Sequence, residues 1–354
     1  MVKPIFLCSL KERVGKSFLS IGIMQKLQKE GKNVAYFKPV GISKSAFTQK
    51  ADPDVGFILN TIYPTSLPYD IVSPVSIPDC YYIDLINDIQ RDTFLKRIKT
   101  AYAEISKNED YVIIEGSPSY RKFIRVGLDD LSVAQVIGVN DLIYVETESS
   151  DKCIDNLFFT KKYFDLKEIN FKGVIFNKID YDYIARIKEL EEGHIKVFDI
   201  PVIGVIEKSI EFIAPRVVEI MESIGGELIN NASDITLNNS VDTYLIGAMN
   251  PQAALKFLRQ VKKGALITGG DRTDLLLAAL DQNMSCLILT GYIQPDIKVI
   301  TAANEKNIPI ILSPSDTYTT MRNMDRVKAG IQKDELNLVL EYVDKFINWD
   351  LLFK

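Results

Sequence analysis

Pro4-Ile5-Phe6-Leu7-Cys8-Ser9-Leu10-Lys11-Glu12-Arg13-Val14-Gly15-Lys16-Ser17 is the stretch on which the reading of this chain turns. Ile5 to Cys8 reads as a short buried strand, Ser9 to Val14 as a tight loop, and a helix opens on Gly15-Lys16-Ser17. That order is the layout of a phosphate-binding loop. The N–H groups of the loop residues Lys11, Glu12, Arg13, Val14 and Gly15 and of the helix start point at an anion, and the helix dipole favours negative charge there. In this reading Lys16 reaches the β- and γ-phosphates and the Ser17 hydroxyl sits on Mg²⁺. The spacing matches in part. Leu10 stands where a glycine is expected six residues before Lys16, and only Gly15 remains to supply positive φ and close backbone approach. The competing reading is a plain strand-to-helix turn that carries a surface Gly-Lys-Ser.

Outward from the loop, Phe18 to Lys29 has helical spacing of apolar residues and ends before Gly31, a C-terminal cap. A strand over Asn33 to Phe37 delivers Lys38 at its carboxyl end, the edge where open parallel sheets bind ligands. Lys38 is there either to neutralise phosphate charge or as a solvated lysine. Asp52-Pro53-Asp54 opens a helix over Val55 to Ile62, its acids serving as caps or as carboxylates beside Mg²⁺. Asp70 to Tyr82 reads as a proline-rich connection and Ile83 to Ile105 as one long amphipathic helix. Tyr111 to Ile114 is a buried strand closed by Glu115-Gly116, a pattern in which the acid supports Mg²⁺ or a water in its shell. Further strands are expected at Asp141 to Val145, Phe171 to Phe176 and Pro201 to Val205, with helices at Asp129 to Val136, Lys152 to Phe164, Asp182 to Glu192 and from about Phe212 to Ile224. Asn177 follows the Phe171 strand, and an amide there can read a base edge. Strand and helix thus alternate through the first half, which implies a doubly wound, mostly parallel α/β domain with Lys38, Glu115, Glu146 and Asn177 at its strand ends.

Composition sets wider limits. At 354 residues the chain is long for one core, so two domains are expected. The formal net charge is -5 and no basic block stands out, which argues against nucleic acid as partner. Cys8, Cys80, Cys153 and Cys286 have no metal-ligand spacing, and Cys8 and Cys286 read as buried thiols. His194, the sole histidine, lies in a polar stretch and reads as a surface residue. The N-terminus does not read as a signal peptide and no apolar run approaches the ~20 residues of a membrane helix, so a cytoplasmic, membrane-free protein is expected.

After Gly225-Gly226 a second, smaller α/β unit is expected. Its strands are Asp242 to Ala248, Ala265 to Thr268, Ser285 to Thr290 and Ile308 to Leu312; its helices include Pro251 to Val261, Leu275 to Leu280, Ile297 to Lys306 and Thr317 to Met324. Gly269-Gly270-Asp271-Arg272 at a strand end is either an anion-holding loop or a tight turn with an Asp271 cap and a structural Arg272. Asp334 to Ile347 is amphipathic and is expected to pack back on the body, with Trp349, Leu351, Leu352 and Phe353 buried at a domain or subunit contact.

The first half resembles the dethiobiotin synthetase-like ATPases, whose deviant P-loops carry a lysine five residues before the invariant one, as Lys11 stands to Lys16. The version found at the N-terminus of some phosphotransacetylases is the most similar. The resemblance is carried by Ser9 to Ser17, Tyr36 to Gly41, Asp52-x-Asp54, Ser73-Pro74-Val75, Asp110 to Gly116, Gly173 to Asn177 and Pro201 to Ile206. The second half resembles the DRTGG domain through Ile267 to Asp274, Cys286 to Gly291 and Pro314 to Thr320. The division implied is 1–210 for the P-loop domain, 211–330 for the DRTGG domain and 331–354 for a C-terminal helix and tail. The resemblance implies ATP and Mg²⁺ as cofactors. Gly15, Lys16 and Ser17 would hold phosphates, while Ser17, Asp54 and Glu115 would bind Mg²⁺. Lys16 and Lys38 would be the catalytic lysines and Asn177 an adenine contact; Lys11 would reach a phosphate across a homodimer. Glu12 and Arg13 replace two glycines of the deviant loop, and Ser117-Pro118-Ser119-Tyr120 replaces the synthetases' glycine-rich run, so dethiobiotin synthesis is not expected. No acetyl-transferring domain follows, so acetyl transfer is not expected either. Two functions remain: an Mg-ATP-dependent ATPase or ligase-like phosphoryl transfer on an unknown small molecule, coupled to a regulatory DRTGG domain, or a non-catalytic nucleotide or effector sensor that self-associates.

Overall fold

The computed structural model of the chain describes residues 2–43, 52–79, 81–209, 212, 214–325, 327 and 330–354. Cys80 lies outside them. The chain forms two compact units, Met1–Lys208 with Gln332–Lys354, and Ser209–Ile331.

In the first unit the elements run β1 (Lys3–Cys8), α1 (Lys16–Lys29), β2 (Val34–Phe37), β3 (Val40–Ser43), α2 (Pro53–Thr61), α3 (Tyr69–Val72), β4 (Val75–Pro78), α4 (Tyr82–Leu85), α5 (Asp88–Ile105), β5 (Tyr111–Glu115), α6 (Asp130–Ile137), β6 (Asp141–Glu146), α7 (Lys152–Leu166), β7 (Asn170–Ile179), α8 (Tyr181–Leu190) and β8 (Val202–Glu207). Six strands make an all-parallel sheet in the order β2-β5-β1-β6-β7-β8. Parallel strands are covered on both faces, which is why β1 and β5 read as unbroken apolar runs; Phe6, Leu7, Ile113 and Ile114 are fully buried. The strand order reverses at β1, whose neighbours are β5 on one side and β6 on the other. Ligands bind outside the carboxyl ends of strands at such a switch point. Both the Gly15-Lys16-Ser17 turn and Glu115 are delivered there, by adjacent strands in the register Leu7 opposite Glu115.

Two expectations are corrected. The Asp70 to Tyr82 connection contains α3 and also β4, which pairs in parallel with β3 in a separate two-stranded sheet. Val75 and Ile77 face inward and Ser76 outward, an alternation too short to stand out beside its prolines. The long helix over Ile83 to Ile105 is two helices. Asn87 accepts from the Gln90 N–H at 3.0 Å while the Gln90 side chain accepts from the Asn87 N–H at 2.8 Å. This capping box starts α5 anew and stops α4 before it.

The second unit runs α9 (Val217–Ile224), β9 (Glu227–Leu228), α10 (Asp234–Leu237), β10 (Thr243–Ile246), α11 (Pro251–Leu258), β11 (Gly264–Gly269), α12 (Thr273–Leu280), β12 (Met284–Thr290), α13 (Ile297–Lys306), β13 (Ile310–Leu312) and α14 (Thr317–Met324). Helix α9 begins at Val217, later than expected, because Pro215 holds the residue before it away from helical geometry. The sheet order is β10-β11-β12-β13-β9, parallel except for β9. Apolar residues of α11, α12 and α13 pack one face, and those of α9 and α14 the other.

The chain then returns to the first unit as α15 (Leu336–Phe346) and α16 (Trp349–Phe353). Val339, Val343 and Leu352 are fully buried, Lys26 of α1 pairs with Asp344 at 2.8 Å, and Phe353 lies against Tyr111 with ring centroids 5.5 Å apart. Among the described residues no helix is long and apolar enough to cross a membrane.

Candidate functional site

The loop between β1 and α1 is held open by its carbonyls. Tyr120 N–H donates to the Ser9 carbonyl at 2.7 Å, Ser119 Oγ to that of Leu10 at 2.7 Å, and Ser9 Oγ to that of Lys11 at 2.8 Å. Lys178 Nζ donates to the Arg13 carbonyl at 2.9 Å, Asn177 Nδ2 to that of Val14 at 2.8 Å, and Leu19 N–H to that of Gly15 at 3.0 Å. A planar trans peptide sends the next residue's N–H the opposite way from its carbonyl. The N–H groups of Leu10, Lys11, Glu12, Val14, Gly15 and Lys16 therefore point away from these anchors. Successive amides left free of internal partners can form an anion-binding concavity.

The missing glycines are replaced by strain and by outside support. Arg13 adopts φ 59° and Gly15 φ 90°, so the loop still makes two left-handed turns, one of them on an arginine. Leucine is tolerated at position 10 because the backbone there is not left-handed, and Ser119 holds its carbonyl. Glu12 is exposed and its carboxylate faces Lys122 at 3.4 Å, while Arg13 is exposed at the loop tip.

Lys16 is buried, 7% exposed, and its ammonium donates to Ser9 Oγ at 2.6 Å and to the Pro118 carbonyl at 3.3 Å. Burial pushes it below the ordinary lysine value, opposed by the charges of Asp130 and Glu115. Ser17 Oγ lies 3.1 Å from Asp54 Oδ2 and 3.0 Å from Glu115 Oε1. Glu115 is buried, and its Oε2 accepts from Tyr36 OH at 3.1 Å and Ser20 Oγ at 3.4 Å. Lys38 Nζ bridges Asp52 Oδ2 at 2.8 Å and Glu115 Oε1 at 3.3 Å. Burial disfavours the Lys38 charge, but Glu115, Asp52 and Asp54 outweigh it and hold the ammonium above the usual lysine range.

The structure thus brings Lys16, Ser17, Lys38, Asp54 and Glu115 together at one end of the sheet. Three oxygens, from Ser17, Asp54 and Glu115, cluster around a single hydroxyl hydrogen, which can satisfy only one carboxylate at a time. A set of hard oxygens short of hydrogens fits a small divalent cation such as Mg²⁺. Among the described residues no group of three or more His, Cys, Asp or Glu is arranged to hold a metal, and this set offers two carboxylates and one hydroxyl. Asn177 sits apart from it: the residue is 2% exposed and its Nδ2 donates to the Val14 carbonyl at 2.8 Å. Lys11 pairs with Glu148 of the same chain at 2.5 Å. Sequence reasoning did not single out Lys178, and it read Asp52 as a helix cap or a carboxylate beside Mg²⁺, not as the partner of Lys38. Asp52 is a dual-purpose residue, capping α2 through Asp54 N–H at 3.1 Å while it holds Lys38. His194 is exposed, as expected of a surface residue. In the second unit, Arg272 spends its guanidinium on the carbonyls of Gly247 at 3.4 Å and Met249 at 2.7 Å, a structural role, but the expected Asp271 cap is not formed, because Arg272 itself stands at the N-cap of α12.

Residues 3–216 match the AAA domain family, and residues 219–327 match the DRTGG domain. The chain belongs to the AAA domain family. It pairs this P-loop domain with a DRTGG domain and is homologous to phosphate acetyltransferases. That of Nitratidesulfovibrio vulgaris (strain Hildenborough) is 24% identical over 373 residues, covering 98% of this chain and 51% of its own. That of Escherichia coli K12 is 22% identical over 385 residues, covering 99% and 52%. The chain spans about half the length of these curated relatives. Among solved structures, the septum site-determining protein MinD of Pyrococcus horikoshii OT3, complexed with Mg-ADP, is 15% identical, covers 59% of this chain and 82% of its own, and has a TM-score of 0.37.

Proposed function

We propose that the AAA domain binds ATP with Mg²⁺ at the loop between β1 and α1 and transfers or hydrolyses its terminal phosphate, with the DRTGG domain as its regulatory partner. The observation that carries this reading is the set of loop carbonyls anchored outward, which leaves the amides free to face an anion without a glycine-rich sequence. Lys16 would exchange Ser9 and Pro118 for the phosphate oxygens. Ser17, Asp54 and Glu115 would hold Mg²⁺, which supplies charge neutralisation at the transferring phosphate. Lys38, fully charged at neutral pH between Asp52 and Glu115, would orient on the same phosphate once Glu115 turns to the cation. Phosphoryl transfer asks of a protein mainly such positioning and neutralisation. A homodimer and a small-molecule acceptor or effector belong to the same proposal.

A thermal-shift titration with Mg-ATP tests it. Wild type should melt higher by several degrees at saturating nucleotide, as ligand linkage requires. Lys16→Ala should show little shift, and chelating Mg²⁺ should remove most of the wild-type shift. Identical melting with and without Mg-ATP would refute it. A melting shift without phosphate release over a long incubation would leave nucleotide sensing as the function.

A further inference from the structure

One buried carboxylate next to this site has no task in the account above. Asp130 is the first residue of α6, after the Asp129 N-cap, and is 2% exposed. Its Oδ1 accepts the Ser117 N–H at 2.7 Å. Its Oδ2 and the neighbouring Ser117 hydroxyl make no hydrogen bond of good geometry, although the hydroxyl is near enough to favour the carboxylate's charge. Gly116 makes room for it: a Cβ at that position would stand 2.2 Å from Oδ2 and 2.9 Å from the Leu7 carbonyl oxygen. A fully buried carboxylate with one orphaned oxygen is expensive to keep, and such groups concentrate at functional sites.

The connection to the nucleotide site runs through the chain itself. Asp130 fixes the amide of Ser117; the next residue, Pro118, presents the carbonyl that receives Lys16 Nζ at 3.3 Å. The charged and titratable groups facing Asp130 are Lys16 from α1, Cys8 from β1 and Asp129 from the cap of its own helix. Lys16 is the cation among them. We infer that Asp130 is a positioning residue of the nucleotide site, which locks the segment after Glu115 and holds the Lys16 ammonium in line for the phosphates. This rests on the nucleotide reading above. It predicts a pH signature as well, because burial pushes the Asp130 carboxyl up to about 6, against the pull of the Ser117 amide and Lys16. Protonation removes the charge that faces Lys16.

The test is calorimetric titration of the full chain with Mg-ATP, comparing wild type with Asp130→Asn from about pH 5 to about pH 8. Asparagine keeps the shape and an acceptor for the Ser117 amide but has no charge. Asp130→Asn should bind about tenfold more weakly near pH 8, and the ratio of the two affinities should shrink toward one near pH 5, where wild type also carries a neutral side chain. The ratio cancels the titration of the nucleotide. The melting temperature of the variant near pH 8 should equal or exceed that of wild type. Asp130→Ser, which also leaves an acceptor for the amide, is read in the same way if the asparagine variant does not fold. Equal affinities near pH 8 overturn the inference, as does a constant ratio across pH with a lowered melting temperature, the mark of a purely structural role. No binding by wild type overturns the nucleotide reading and this inference with it.

Discussion

Gly15→Ala is the perturbation that probes the loop most sharply. The native φ of 90° is open to glycine but costs an L-residue about 1–2 kcal/mol. The added Cβ would stand 2.4 Å from Asn177 Nδ2. The amide would have to leave the Val14 carbonyl, and a buried acceptor left unmet costs about 1–3 kcal/mol. Together these predict a loss of about 3 kcal/mol, or a fall in melting temperature of about 10 °C for a body of this size. The assay is thermal unfolding followed by a double-mutant cycle with Asn177→Ala. Asn177→Ala alone should destabilise by about 1–2 kcal/mol through the lost amide bond. The double variant should fall short of the sum by at least about 1 kcal/mol, since the clash is absent once the amide is gone. A Gly15→Ala protein that melts within about 2 °C of wild type, or strict additivity in the cycle, would refute the claim that Asn177 braces the loop.

Other outcomes follow from the same contacts. Glu115→Gln breaks a buried pair and leaves Lys38 with Asp52, so it should destabilise by roughly 3 kcal/mol and abolish any Mg²⁺ dependence of nucleotide binding. Lys38 lies above its ordinary value, so its contribution is complete at neutral pH and is lost only as pH climbs through that raised value; denaturant midpoints of wild type should show no loss on this account below the ordinary lysine range. Asp130 works the other way. Its folded value of about 6 lies above the ordinary 3.8, so the folded state binds the extra proton and wild type should lose about 3 kcal/mol as pH rises between those values, a slope that Asp130→Asn should lack in urea unfolding.

Much of the architecture is legible in the residues because burial dictates them. Val112 to Ile114 is apolar throughout since both faces of a central parallel strand are covered, and Glu115 after it marks where the strand stops. The Ile83 to Ile105 helix was misjudged because apolar spacing continues across Asn87, and only the reciprocal bonds of Asn87 and Gln90 show the break. Strand β4 hides among prolines because two inward residues are too few to make a period. At the site, Lys16, Ser17 and Glu115 could be named from motif spacing, and Asp54 from the family resemblance. The supports could not. Asn177, Lys178 and Ser119 are more than 100 residues from the loop in sequence and meet it only through the sheet, and Asp130 acts on Ser117 rather than on the loop itself. A motif that counts glycines looks for flexibility within the loop, whereas this chain supplies the same geometry through partners outside it.

The central claim is that a glycine-poor loop, braced by its carbonyls, still cages a triphosphate. A crystal structure of the chain grown with ATP and Mg²⁺ tests it directly. The account predicts phosphate oxygens on the amides of Val14, Gly15, Lys16 and Ser17, the Lys16 ammonium moved from Ser9 onto the phosphates, and a cation among Ser17, Asp54 and Glu115. A loop still closed by Lys16 on Ser9, with nucleotide absent or bound elsewhere on the chain, would contradict it.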